Sequence, residues 1–170
     1  MLVAEWISVY CQESIRLDGD EIRRWIETAD LWTWAETLYD EDELAEAAAE
    51  SVLTNLRVQA ETTIDVYWTE SGRPLQISVS PAAAEDISEV VNEALSTADG
   101  PGPALIRDHL AAVRHVINIE MSAADSMSMG AVLGEIVALE IAAVGNGLVW
   151  FFGKDWVSPE DRAGTVWNRN

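Results

Sequence analysis

The fold is predicted most clearly by the sequence His115-Val-Ile-Asn-Ile-Glu-Met121, which alternates apolar and polar residues as a half-buried strand does. The next stretch, Met129 to Val144, is apolar apart from two glutamates and has the length of a helix. After a turn at Gly145-Asn-Gly147, the sequence Leu148-Val-Trp-Phe-Phe152 is typical of a buried strand. A strand, a helix and a strand in this order predict a β-α-β unit over Val116–Val157, with its helix on one face of a sheet.

The rest of the chain adds further strands and helices. Ala4 to Gln12 predicts a strand, with an amphipathic helix as the competing interpretation. Thr62–Trp68 and Pro74–Ser80 flank a short polar connector and predict a β-hairpin. Helices are predicted from the spacing of apolar residues at 21–27, 44–56 and 105–113, the first of them after an N-cap in Asp18-Gly-Asp20. A further helix is predicted to open at Pro81 and to stop at Asp99-Gly-Pro-Gly-Pro103.

This order predicts an α+β protein with a mixed β-sheet of about five strands and helices packed mainly on one face. The closing β-α-β unit would pair its strands directly or with another strand between them. A chain of 170 residues fits a single domain, residues 1–170, in which the Gly-Pro segment 99–103 is the candidate hinge.

The charge of the chain is strongly negative and unevenly distributed. The formal net charge is −20; residues 1–100 hold 22 carboxylates against 5 arginines, and residues 101–170 hold 8 against 5 basic residues. Such a charge repels nucleic acid and anionic membranes and accelerates association with basic proteins. We therefore expect a basic protein partner, no nucleic acid and no membrane. The alternative is that the acidity only keeps the protein in solution.

The scarcity of cysteine and histidine and the lack of known motifs indicate the compartment of the protein and the chemistry open to it. Cys11 is the one cysteine, the N-terminal residues lack a basic leader, and the 129–144 stretch is short for a membrane span, so we expect a soluble cytoplasmic protein. Cys11 lies in an apolar alternation and should be a core residue, and His109 and His115 are spaced for different helix faces. We find no metal-ligand spacing and no phosphate-binding glycine loop, so we expect no cofactor, no metal and no enzymatic activity.

The candidate binding surface is the segment 18–50, which holds 12 carboxylates and 2 arginines interleaved with aromatic residues. Aromatic anchors combined with steering charges are typical of protein-binding surfaces. The competing interpretation is that the aromatic side chains point inward. A second candidate is the aromatic run 150–156, where Trp156 is either an exposed anchor or a core residue, and we favour the core. The residues predicted to bind a partner are Trp32, Trp34, Tyr39, Asp40, Glu41, Asp42 and Glu43.

The segment Val116–Val157, with Gly147-Leu-Val-Trp and Lys154-Asp-Trp156, resembles the immunity proteins of bacterial toxin systems. These are small, acidic, cytosolic α+β proteins. The resemblance implies a protein that binds a cognate toxin and occludes its active site. Two alternatives are a DNA mimic, which would need carboxylates spread along an elongated face, and an acidic secretion chaperone, which would be a dimer with an apolar groove.

Overall fold

The computed structural model describes residues 4–161 and 165–168. Its helices are α1 (Gly19–Thr28), α2 (Leu31–Ala35), α3 (Asp42–Asn55), α4 (Ala84–Leu95), α5 (Pro101–Leu110) and α6 (Met129–Gly145). Its strands are β1 (Ala4–Cys11), β2 (Arg57–Ala60), β3 (Ile64–Tyr67), β4 (Leu75–Pro81), β5 (His115–Ser122), β6 (Gly147–Phe151), β7 (Asp155–Val157) and β8 (Thr165–Asn168). The α+β class is confirmed, and so is a strand for the first segment.

The sheet differs from the prediction in strand number and in strand direction. The described strands form one eight-stranded antiparallel sheet in the order β2-β3-β4-β5-β1-β6-β7-β8, so the prediction of a mixed sheet of about five strands is wrong. The unpredicted strands β2, β7 and β8 have four, three and four residues. Strands this short hold at most two alternations, which is too little for a periodic signal.

The β5-α6-β6 unit is present with its strands separated. Strand β1 lies between β5 and β6, and it pairs with β6 in an antiparallel register that places Val9 opposite Val149. Because β1 runs against both neighbours, β5 and β6 point the same way without pairing, so the sheet stays antiparallel across the helical crossover. Of the two arrangements left open by the sequence, the structure adopts the separated one.

The described residues divide into two compact units whose segments alternate along the chain. The first unit contains residues 4–5, 17–78 and 119–137, and the second contains residues 6–16, 79–118, 138–161 and 165–168. In the first unit, Asp18 caps α1 by accepting a hydrogen bond from the Asp20 amide at 2.8 Å, and β3 and β4 form the predicted hairpin. The single domain stays a prediction.

In the second unit, helices cover both faces of the sheet. On one face, α6 approaches so closely that a Cβ on Gly147 would lie 3.1 Å from the Ala142 Cα. On the opposite face, Tyr10 and Trp156 belong to a buried cluster with residues of α4 and α5, namely Ala94, Leu95, Ile106 and Leu110. Helices thus lie on both faces in this unit, and the prediction that they pack mainly on one face of the whole sheet stays a prediction. The apolar stripe of an amphipathic helix indicates that the helix packs on a sheet, but it does not indicate on which face. Tertiary packing decides the face.

Helix α6 is the buried helix that the sequence predicts. Its buried residues include Leu133, Val137, Leu139 and Ile141, and they surround the helix rather than forming one stripe. Two predicted helix starts are wrong. The helix predicted to open at Pro81 begins at Ala84, because Pro81 is the last residue of strand β4. Helix α5 begins at Pro101 rather than near residue 105, and proline is tolerated in this first turn because it lacks only an amide that would have no partner there. Residues 101–103 are thus helical, and the hinge at 99–103 stays a prediction.

Candidate functional site

Helices α2 and α3 leave a groove between them in the first unit. Its volume is about 420 Å³. Apolar side chains and carboxylates line it together. The lining residues are Ala29, Asp30, Leu31, Trp32, Asp42, Glu46, Ala49, Glu50 and Leu53.

The short helix α2 turns Trp32 toward solvent. Asp30 caps this helix by accepting hydrogen bonds from the Thr33 amide at 3.2 Å and from the Thr33 hydroxyl at 2.9 Å. Leu31 and Ala35, four residues apart, are the buried side of the helix. Around the helix axis, Trp32 lies about 100° from Leu31 and about 60° from Ala35, and it is 44% exposed.

Helix α3 carries a row of three carboxylates along the groove. It buries the small residues Ala45 and Ala49 together with Val52. Asp42, Glu46 and Glu50 follow one another at four-residue intervals, which places them on one side of the helix about 6 Å apart along its axis. Leu53, which is 48% exposed, continues the groove beyond them.

The carboxylate row has no cation near it in the sequence. Residues 25–56 contain nine carboxylates and neither lysine nor arginine. In the part of the chain that the structure describes, the ion pairs are Arg23–Glu27 and Arg24–Glu21, both within α1. Among the same residues, the side-chain carboxylates of Asp42, Glu46 and Glu50 accept no hydrogen bond. The groove therefore presents uncompensated negative charge beside an exposed indole ring.

Two of the seven predicted residues, Trp32 and Asp42, line the groove. Asp40, Glu41 and Glu43 are exposed and lie outside its lining, and Glu41 is the N-cap residue of α3. Trp34 and Tyr39 are half-buried and also lie outside it.

Sequence reasoning missed Asp30, Glu46, Glu50 and Leu53 as members of this site. The available signal was the helical period. Starting from Asp42, steps of four residues lead to Glu46 and Glu50, and one further step of three leads to Leu53.

The aromatic run 150–156 belongs to the core. The Trp156 side chain is fully buried, stacks on Trp150 with 5.1 Å between ring centroids, and lies 5.4 Å from the Tyr10 ring. The favoured interpretation of Trp156 as a core residue is confirmed. The α2–α3 groove is thus the stronger of the two candidate surfaces.

The scarce nucleophilic and basic side chains do not form a catalytic arrangement. Cys11 is fully buried, and burial raises the pKa of its thiol to about 12. The His109 Nε2–H donates to the Tyr10 carbonyl at 2.8 Å, and burial lowers the pKa of this imidazole. Within residues 4–161 and 165–168, the Cys11 thiol has no hydrogen bond to either histidine. The prediction of Cys11 as a core residue is confirmed.

We expect Cys11 to be almost inert toward a disulfide reagent. At pH 8 a thiol of pKa about 12 is ionised in roughly one molecule in 10⁴, against about one in four at an ordinary pKa near 8.5. The native protein should therefore react with dithionitrobenzoate at least about 100-fold more slowly than the protein unfolded in urea. Cys11→Ser provides the blank. Equal rates in the native and unfolded states would show that the thiol is accessible and ionised.

Among the described residues, no helix is long and apolar enough to cross a membrane. None of their histidine, cysteine and carboxylate side chains form a group of three that could hold a metal ion.

Comparisons of the chain with protein-family models, with curated proteins and with solved structures give no match. The α2–α3 groove is therefore the feature from which a function is inferred.

Proposed function

We propose that this protein is an immunity protein, which binds a basic toxin domain in the cytoplasm and occludes its active site without catalysing a reaction. The observation that carries the proposal is the α2–α3 groove, where the exposed ring of Trp32 lies beside a row of unpaired carboxylates. The resemblance of Val116–Val157 to toxin-immunity proteins agrees with it.

The charges and the apolar groups of the groove would act at different stages of binding. The carboxylates attract a basic partner over a distance of about one Debye length, roughly 8 Å at physiological ionic strength, and so raise the association rate. Trp32 and Leu53 lose water only when the partner is seated, and so they slow dissociation. A toxin domain held at a basic surface in this way would be screened from an anionic substrate.

A DNA mimic is the second candidate function, and the regular spacing of Asp42, Glu46 and Glu50 favours it. A mimic, however, needs only carboxylates, whereas apolar side chains also line this groove. Trp32→Ala would leave the affinity of a mimic for its enzyme almost unchanged, and it should weaken an immunity complex. An acidic secretion chaperone would pair through its apolar groove, which the row of carboxylates opposes by like-charge repulsion between two copies.

The proposal is tested by co-production in a toxin-sensitive host. Proteins captured from the source cell by this chain are identified, and each toxic domain among them is produced together with the wild-type protein or with a groove variant. We expect the wild-type protein to restore growth, and the variant carrying Trp32→Ala, Glu46→Gln and Glu50→Gln to fail at equal abundance. Growth restored equally by both proteins would place toxin binding outside the groove.

Neutralising the carboxylate row should slow association with the partner. In the triple variant Asp42→Asn, Glu46→Gln, Glu50→Gln we expect the association rate at low salt to fall about tenfold and its salt dependence to flatten. The free energy of unfolding should change by less than about 1 kcal/mol, since the three side chains are exposed. Surface-immobilised kinetics at two salt concentrations measure both quantities for association.

A matched control for this variant exists on α4. Glu85→Gln, Asp86→Asn and Glu89→Gln remove the same charge from exposed helical positions of the other unit. This control should retain most of the association rate. If both triple variants slow association equally, net charge alone steers the partner and the groove has no special part in it.

A further inference from the structure

The groove between α2 and α3 has an opening suited to one or two side chains. Its volume of about 420 Å³ lies in the lower part of the range of roughly 300 to 1,000 Å³ found for small-ligand sites. It is therefore too small to enclose a helix of a partner. A group of the partner that enters the groove must pack against the indole ring and also bind several carboxylates.

We infer that the groove takes an arginine side chain of the partner, with the guanidinium over the Trp32 ring and its N–H groups directed to the Asp42–Glu46–Glu50 row. This inference rests on the proposed function only in that the partner is a protein. The charge complementarity is direct: a cation is absent from residues 25–56, and the row lacks hydrogen-bond partners within the described chain.

Arginine satisfies this surface better than lysine does. A guanidinium is planar, stacks on aromatic rings and offers five N–H donors in a fork that matches carboxylates, while an ammonium is a compact and strongly hydrated charge. The apolar lining residues Leu31, Ala49 and Leu53 offer an ammonium no hydrogen bonds in exchange for that hydration, which makes its loss costly for lysine. The same chain already contains such a contact, since the Arg57 guanidinium carbon lies 5.0 Å from the centroid of the Tyr67 ring.

A second copy of this chain fits the groove poorly. Each copy has a net charge of −20, so two copies repel each other over their whole surfaces. An arginine presented by a basic partner meets no such repulsion. Sedimentation of the wild-type protein should accordingly show a monomer, and a dimer that dissociates on Trp32→Leu substitution would make a second copy the occupant and overturn the inference.

The test uses two blocked eight-residue peptides, one alternating arginine with alanine and one alternating lysine with alanine. Isothermal titration of the full-length protein should show at least about fivefold tighter binding of the arginine peptide. Trp32→Leu, which keeps an apolar side chain but removes the ring, should abolish this preference. Trp6→Leu should preserve it, because Trp6 is equally exposed but lies in the other unit.

Each outcome of the titration decides the inference. Equal affinities for the two peptides, no measurable binding of either, or an arginine preference that survives Trp32→Leu would each overturn it. The assay contains no toxin, so its failure is separate from that of the proposed function: a toxin complex that depends on the groove could still be found. Conversely, the titration could show an arginine preference while the co-production experiment finds no toxin that the protein neutralises. That pair of results would reject the proposed function and keep the arginine site.

Discussion

Replacing Leu139 with aspartate should lower the free energy of unfolding by roughly 3 to 5 kcal/mol. Leu139 is 1% exposed and lies in α6, whose buried residues surround the helix. The new carboxylate would lose its water without gaining a partner, and the apolar contacts of the leucine would be lost as well. Urea unfolding followed by far-ultraviolet circular dichroism gives the value.

The matched control is Val144→Asp on the same helix. Val144 is 56% exposed, so the aspartate there stays hydrated and should cost less than about 1 kcal/mol. If Leu139→Asp unfolded cooperatively at the urea concentration of the wild-type protein, α6 would not be the core helix of this fold.

Replacing Trp32 with alanine should weaken the proposed complex with a toxin domain by about 2 kcal/mol or more, which is roughly a 30-fold increase in Kd. Most of this loss should appear as faster dissociation, because the ring acts after the encounter complex has formed. Folding stability should change little, since 44% of the side chain is already exposed. Surface-immobilised kinetics separate the two rates.

Trp6→Ala is the control for this substitution. Trp6 is 45% exposed, it belongs to the other unit, and it is the same residue type. Its removal should leave Kd within about twofold of the wild-type value. A larger loss of affinity with Trp6→Ala than with Trp32→Ala would move the binding surface to the sheet near β1.

The parts of the fold that the sequence predicts are those with long or strongly marked patterns. The alternation in β5, the seventeen residues of α6 and the apolar run of β6 each give a clear signal, and so does the Asp18 cap of α1. These features depend on local periodicity and capping chemistry.

The rest of the fold depends on interactions between distant segments. Insertion of β1 between β5 and β6 is a pairing of residues about 140 positions apart, and no local pattern records it. The positions of α4 and α5 opposite α6 follow from burial of both faces of β1, including Tyr10 and Val9. Strand β7 has three residues and pairs with β8 through an irregular register, so neither strand has a readable period.

The sequence predicted the types of residue that make up the candidate site, but it did not predict how their side chains are arranged. The coincidence of acid and aromatic residues at 18–50 pointed to the two helices that carry Trp32 and Asp42. Helix α2 has five residues and buries Leu31 and Ala35, and Trp32 and Trp34 lie on either side of this buried pair at about the same angle. The helical period therefore does not distinguish the exposed Trp32 from the half-buried Trp34, and contacts with other segments decide the difference.

The most direct test of the account is photochemical crosslinking from inside and outside the groove. Leu53 in the groove and Leu105 on α5 are 48% and 51% exposed, and each is replaced in turn by p-benzoylphenylalanine. After irradiation of the complex with the toxin domain, we predict a crosslinked product from position 53 and none from position 105. Crosslinking from position 105 with none from position 53 would contradict the claim that the α2–α3 groove is the binding surface.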